Sequence, residues 1–84
     1  MIPATLAETA RRVHLTGAET EVLNLITQGL SDQAIARRLF VSRATVHTHS
    51  IRILSKLGVH SRLQAALMAL GHRPVVEMDE SRVY

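Results

Sequence analysis

Five histidines, at positions 14, 47, 49, 60 and 72, are the side chains of this 84-residue chain best suited to hold a metal or move a proton. Their spacing supports neither. His47 and His49 stand two apart, which on a helix sends them to different faces. His14, His60 and His72 fall in loops or at helix ends, without acidic partners. The absence of cysteine excludes disulfides and thiolate metal sites. No glycine-rich phosphate loop, carboxylate pair in a pocket or Ser-His-Asp set can be assembled. Neither an enzyme, a metal site nor a cofactor is expected.

The chemistry that remains is the binding of a polyanion. The net charge of +3 is unevenly spread. Residues 15–73 carry seven Arg or Lys against Glu19, Glu21 and Asp32, whereas residues 74–84 carry Arg82 against Glu77, Asp79 and Glu80. From Ala34 to Arg73 there is no acidic residue. Such a one-sign stretch attracts phosphates, although a solvated basic face would also produce it.

The elements that must position these cations are helical. The composition is apolar but holds one Phe, one Tyr and no Trp, which favours helices packed through aliphatic side chains. Thr16-Gly17-Ala18-Glu19 has the form of a capping box. Val22, Leu23, Leu25, Ile26 and Leu30 follow it at helical spacing, and Gly29 can close the helix. Ser31 caps a short helix to about Leu39, with Ile35, Ala36 and Leu39 inward. After the break Phe40-Val41-Ser42, a longer helix runs from about Arg43 to Leu57, ended by Gly58. A last helix follows Ser61 and stops at Gly71, and Pro74 prevents its continuation. Residues 5–13 suggest a short extra helix with Leu6, Ala10 and Val13 inward.

A short helix, a tight turn and a longer helix form a helix-turn-helix, whose second helix enters the DNA major groove. The wheel of the 43–57 segment fits that use. Val46, Ser50, Ile53, Leu54 and Leu57 make one stripe, suited to the core. Ala44, His47, Thr48, Ile51 and Ser55 make the opposite stripe, compact and without formal charge, flanked by Arg43, Arg52 and Lys56. A groove-facing surface needs small side chains at its centre and cations at its rim. The Ser42 and Thr45 hydroxyls, with the helix N-terminus, can hold a phosphate or can serve only as caps. His49 is either structural or phosphate-facing.

The stretch from Leu15 to Leu70 closely resembles the DNA-binding domain of LuxR/NarL/FixJ-type bacterial transcriptional regulators. The matching residues are Leu15-Thr16, Glu19 with Val22-Leu23, Gly29-Leu30-Ser31, Ile35-Ala36, Leu39, Val41-Ser42, Thr45-Val46, His49, Ile53-Leu54, Lys56-Leu57-Gly58-Val59 and Arg62. The resemblance implies an all-α, four-helix fold whose third helix reads the major groove of double-stranded DNA. It places base readout at His47, Thr48 and Ile51, with Arg52 near the backbone or the next base; Ser42, Arg43, Thr45 and Lys56, from the wheel and the helix N-terminus, complete the expected backbone contacts. It also implies a homodimer on DNA through the last helix and, as a transcription regulator, RNA polymerase as a partner. Three positions depart from the family pattern: Ala18 stands where an Arg is usual, Ala34 where a Glu is frequent, and His47 where a Lys is usual. The last change weakens a phosphate anchor and favours a different or pH-sensitive preference.

The organisation expected is an N-terminal arm or linker (1–14), a DNA-binding domain (15–73) and a flexible C-terminal tail (74–84). The last helix is apolar nearly all round, so it should be covered on both sides. Leu63, Ala66, Leu67 and Leu70 are expected to face the core, leaving Ala65, Met68 and Ala69 outside. With Ala66 they form the expected dimer interface. No membrane span is apparent, and a cytoplasmic location is expected. The alternative function is a protein-interaction module that docks on another regulator without reading DNA.

Overall fold

Four of the five helices begin at a hydroxyl. In the computed structural model, which describes residues 2–72, the helices are α1 (Ala4–Arg12), α2 (Gly17–Thr27), α3 (Asp32–Leu39), α4 (Arg43–Leu57) and α5 (Arg62–Ala69), and no strand occurs among the described residues. Thr16 Oγ1 accepts from the Glu19 N–H at 3.1 Å while Glu19 Oε1 accepts from the Thr16 N–H at 2.9 Å, completing the capping box. Ser31, Ser42 and Ser61 cap α3, α4 and α5 by accepting from the N–H three residues on. Each such bond satisfies a backbone donor that has no partner inside its helix. The extra N-terminal helix is present as α1, opened by Pro3 without a side-chain cap.

All five helices end in the same way. His14, Gly29, Phe40, Gly58 and Gly71 have positive φ, between 59° and 94°. The next residue's N–H returns to a carbonyl five residues earlier: Leu15 to Ala10, Leu30 to Leu25, Val41 to Ala36, Val59 to Leu54 and His72 to Leu67. This double-bonded closure satisfies the last carbonyls of each helix. Three of the five sites use glycine. His14 and Phe40 take the same turn with a side chain attached, at a cost of about 1 kcal/mol each.

The central helix is α2, which packs on α4 and α5 and also touches α1 and α3. Val22 and Leu23 of α2, Ile35 of α3, and Val46 and Ile53 of α4 are fully buried and fix how these helices cross. Burying each such side chain is worth roughly 1.5–3 kcal/mol. Leu6 and Ala10 of α1 are buried with Val13 half-buried, the inward set read from the sequence; Thr9 is buried beside them.

The orientation of α5 is the reverse of the expectation. Ala65 and Ala69, assigned to an outer dimer face, are 0% and 1% exposed, whereas Leu63 and Leu70, assigned to the core, are 66% and 53% exposed. Ala66, Leu67 and Met68 are half-buried. The physical reason is the closeness of the helices. Two methyl side chains one turn apart let α5 approach its neighbours, and a leucine at either place would hold them off. A helix apolar on both faces gives its wheel no polar side to break the tie. The expected tail, 74–84, lies outside the described residues.

Candidate nucleic-acid interface

The α4 helix is anchored at its start and sorted by face along its length. Ser42 Oγ accepts from the Thr45 N–H at 3.0 Å and lies 3.0 Å from Thr45 Oγ1, so the two hydroxyls are joined at the helix N-terminus. Their capping role is therefore realised. The inward stripe holds Val46, Ile53 and Leu57 in the core, with Ser50 and Leu54 half-buried. The opposite stripe, Ala44, His47, Thr48, Ile51 and Ser55, is exposed over its whole length. Thr48 Oγ1 donates to the Ala44 carbonyl at 3.1 Å, which spends its hydrogen and leaves its lone pairs outward. Ile51 is 54% exposed, an apolar side chain held at the middle of this face.

Arg43 and Arg52 are exposed at the rim of this face and have no ion-pair partner among the described residues. Arg37 and Arg38, exposed on α3, also lack one. Asp32 shares a concavity with Arg43, Ala44 and His47 of the exposed stripe. Its charge is taken by Arg62. Arg62 Nη1 donates to Asp32 Oδ1 at 2.7 Å and Nη2 to the Leu30 carbonyl at 3.0 Å. One guanidinium thus ties α5 to the start of α3 and masks an anion that would repel phosphates. The sequence named Arg62 only as a matching residue; its partner lies 30 positions away, beyond the reach of helix periodicity.

Lys56 is placed elsewhere. Its ammonium donates to Glu19 Oε1 at 2.7 Å and to the His14 carbonyl at 3.0 Å, on the side of α4 that meets α2. Expected among the phosphate contacts, it is held by these two bonds in an interhelical bridge. Glu19 is 2% exposed. Burial alone would raise its carboxyl. The hydrogen bonds from Lys56 and from the Thr16 backbone, with the charges of Lys56 and His49, outweigh burial and hold it below its ordinary value. His49 is half-buried on the same helix. No group of three or more His, Cys, Asp or Glu able to hold a metal occurs among the described residues. No described helix is long and apolar enough to cross a membrane.

Residues 13–69, well over half of the chain, match the luxR family of bacterial regulatory proteins. The chain belongs to the LuxR family. The matched LuxR-family region contains α2 to α5 and the Glu19, Lys56, Asp32 and Arg62 contacts; α1 precedes it. An HTH-type transcriptional regulator of Mycobacterium bovis is 50% identical over 50 residues, 60% of this chain and 6% of its own length. The nitrate/nitrite response regulator NarL of Escherichia coli is 43% identical over 65 residues, covering 76% of this chain and 30% of NarL. The transcriptional regulatory protein LiaR of Bacillus subtilis is 47% identical over 55 residues, 66% of this chain and 26% of LiaR. The LuxR-family chain therefore spans well under half the length of these relatives. No solved structure matches it.

Proposed function

We propose that this chain binds double-stranded DNA sequence-specifically in transcription regulation, with α4 in the major groove. The observation that carries the reading is the exposed stripe of α4, compact and uncharged at its centre and rimmed by arginines without acidic partners among the described residues. His47 and Thr48 offer hydrogen-bonding groups to base edges, and Ile51 offers a surface for a thymine methyl. Arg43 and Arg52 meet phosphates, with the Ser42 and Thr45 hydroxyls at the α4 N-terminus. Lys56 is left out of that set because it bridges to Glu19.

A homodimer on DNA forms through the exposed edge of α5. Leu63 and Leu70, with the half-buried Leu67, replace Ala65 and Ala69 as the residues that a second copy would cover. Two copies would read two half-sites related by their symmetry. Work on DNA in the cytoplasm, in contact with RNA polymerase, fits the regulator names of the relatives.

The test is duplex affinity against salt. Each neutralised phosphate contributes a slope of about −0.9 to log K against log salt, so two arginines per copy, four in the dimer, predict a slope of about −3.6 or steeper. An affinity indifferent to salt rejects DNA binding. It would favour the second reading, a module that docks on another regulator, which His47 in place of a lysine supports.

A further inference from the structure

Phe40 is 94% exposed and sits at φ 59°, the left-handed region that favours glycine. Neither its burial nor its backbone geometry explains a phenylalanine at this turn. It borders a groove with Leu30, Ala34, Arg37 and Arg38. This groove shares no residue with the concavity of Arg43, Ala44 and His47 on the reading face. Its lining is thus an aromatic ring, aliphatic surface and two guanidinium groups, and it contains no carboxylate. A ligand suited to it is an acidic segment carrying a bulky apolar side chain.

The chain itself contains such a segment. Val75-Val76-Glu77-Met78-Asp79-Glu80 lies outside the described residues and has three carboxylates and three large apolar side chains. A Cβ placed on Gly71 would lie 3.3 Å from Thr5 Cγ2. Ile2, which precedes α1 by two residues, lines a second groove together with Arg38 and Leu39. Arg38 borders both grooves. The five residues from His72 to Glu77 can extend about 17 Å.

We propose that residues 75–80 of this chain bind the groove of Leu30, Ala34, Arg37, Arg38 and Phe40. Glu77, Asp79 and Glu80 supply charge for Arg37 and Arg38, and Met78 supplies a thioether for the exposed ring. The occupied groove lowers the positive potential beside the reading helix. That consequence rests on the DNA-binding reading; the docking does not.

The test is therefore made without DNA. Amide spectra of the labelled full chain are compared with those of the full chain carrying Glu77→Lys, Asp79→Lys and Glu80→Lys. The expected result is displaced resonances from Ala34 to Val41, with Leu63 to Met68 unmoved, the same at every protein concentration. Full-chain Phe40→Ala, a change at a solvent-exposed ring, should abolish the response to the charge reversals. Unchanged resonances at residues 34–41 would overturn the proposal and leave the groove to an acidic partner protein. Displacements that depend on protein concentration would also overturn it, by assigning the docking to the segment of a second copy.

Discussion

Lys56 Nζ lies 2.7 Å from Glu19 Oε1, joining the last turn of α4 to the first turn of α2. The same ammonium reaches the His14 carbonyl, and the same carboxylate oxygen closes the capping box on the Thr16 N–H. One buried ion pair therefore ties together the start of α2, the end of α1 and the last turn of α4, the helix that carries the exposed stripe. Lys56→Met would leave Glu19 buried with only backbone support. With the lysine one-third exposed, the expected loss is about 2 kcal/mol, below the range for a fully buried pair. Urea unfolding at neutral pH checks it.

The same pair sets an acid limb. The folded Glu19 carboxyl is held below its ordinary value, so protons bind more tightly to the unfolded chain. Its contribution is complete above the ordinary carboxylate pKa of about 4.3. It is lost as pH falls through the lower folded value. Glu19→Gln should reduce stability at neutral pH and flatten the decline in acid, measured by denaturant midpoints across a pH series.

Phe40 and Gly58 make the same helix-ending turn, one with a benzyl group and one without a side chain. Since Phe40 is nearly fully exposed, its removal costs little packing. In the chain carrying Glu77→Lys, Asp79→Lys and Glu80→Lys, where no docked segment covers the ring, Phe40→Asn should raise stability by about 0.5–1 kcal/mol, because asparagine tolerates the left-handed region better. The thermal midpoint reads the change, and a fall would show that the ring contributes to the folded state.

Arg62 is expected to act on binding without touching DNA. Arg62→Ala would uncover the Asp32 carboxylate in the concavity beside His47 and remove the tie to the Leu30 carbonyl. Duplex affinity should fall several-fold at low salt. The double change Arg62→Ala with Asp32→Ala should recover part of that loss, as double-mutant coupling between contacting residues requires.

The two faces of α5 respond differently to substitution. Ala65→Leu forces extra volume against α2 and should cost about 1–3 kcal/mol. Leu63→Ser changes an exposed side chain and should leave stability nearly unaltered while weakening self-association, followed by sedimentation on a duplex.

Local order was legible in the chain because short-range rules decide it. Thr16, Ser31, Ser42 and Ser61 mark the helix starts by a chemistry confined to three residues, and the glycines mark three of the ends. The exposed stripe of α4 was legible because its opposite stripe is strongly apolar. The α5 orientation was not, since beyond Arg62 and Gln64 in its first turn an alanine face and a leucine face compete with no polar residue to settle them. The partner of Lys56 was hidden for a related reason. A lysine beside a groove-facing stripe looks like a phosphate contact until its partner, Glu19, is brought across 37 positions of sequence by tertiary packing.

The central claim is that α4 reads base sequence through His47, Thr48 and Ile51. Selection of bound duplexes from a random pool tests it most directly, run in parallel with the wild-type chain and with Ile51→Ala. The wild type should enrich a motif of two symmetry-related half-sites, and Ile51→Ala should relax the preference at one thymine-containing position in each. A pool left unenriched, or an identical motif from both proteins, would contradict it.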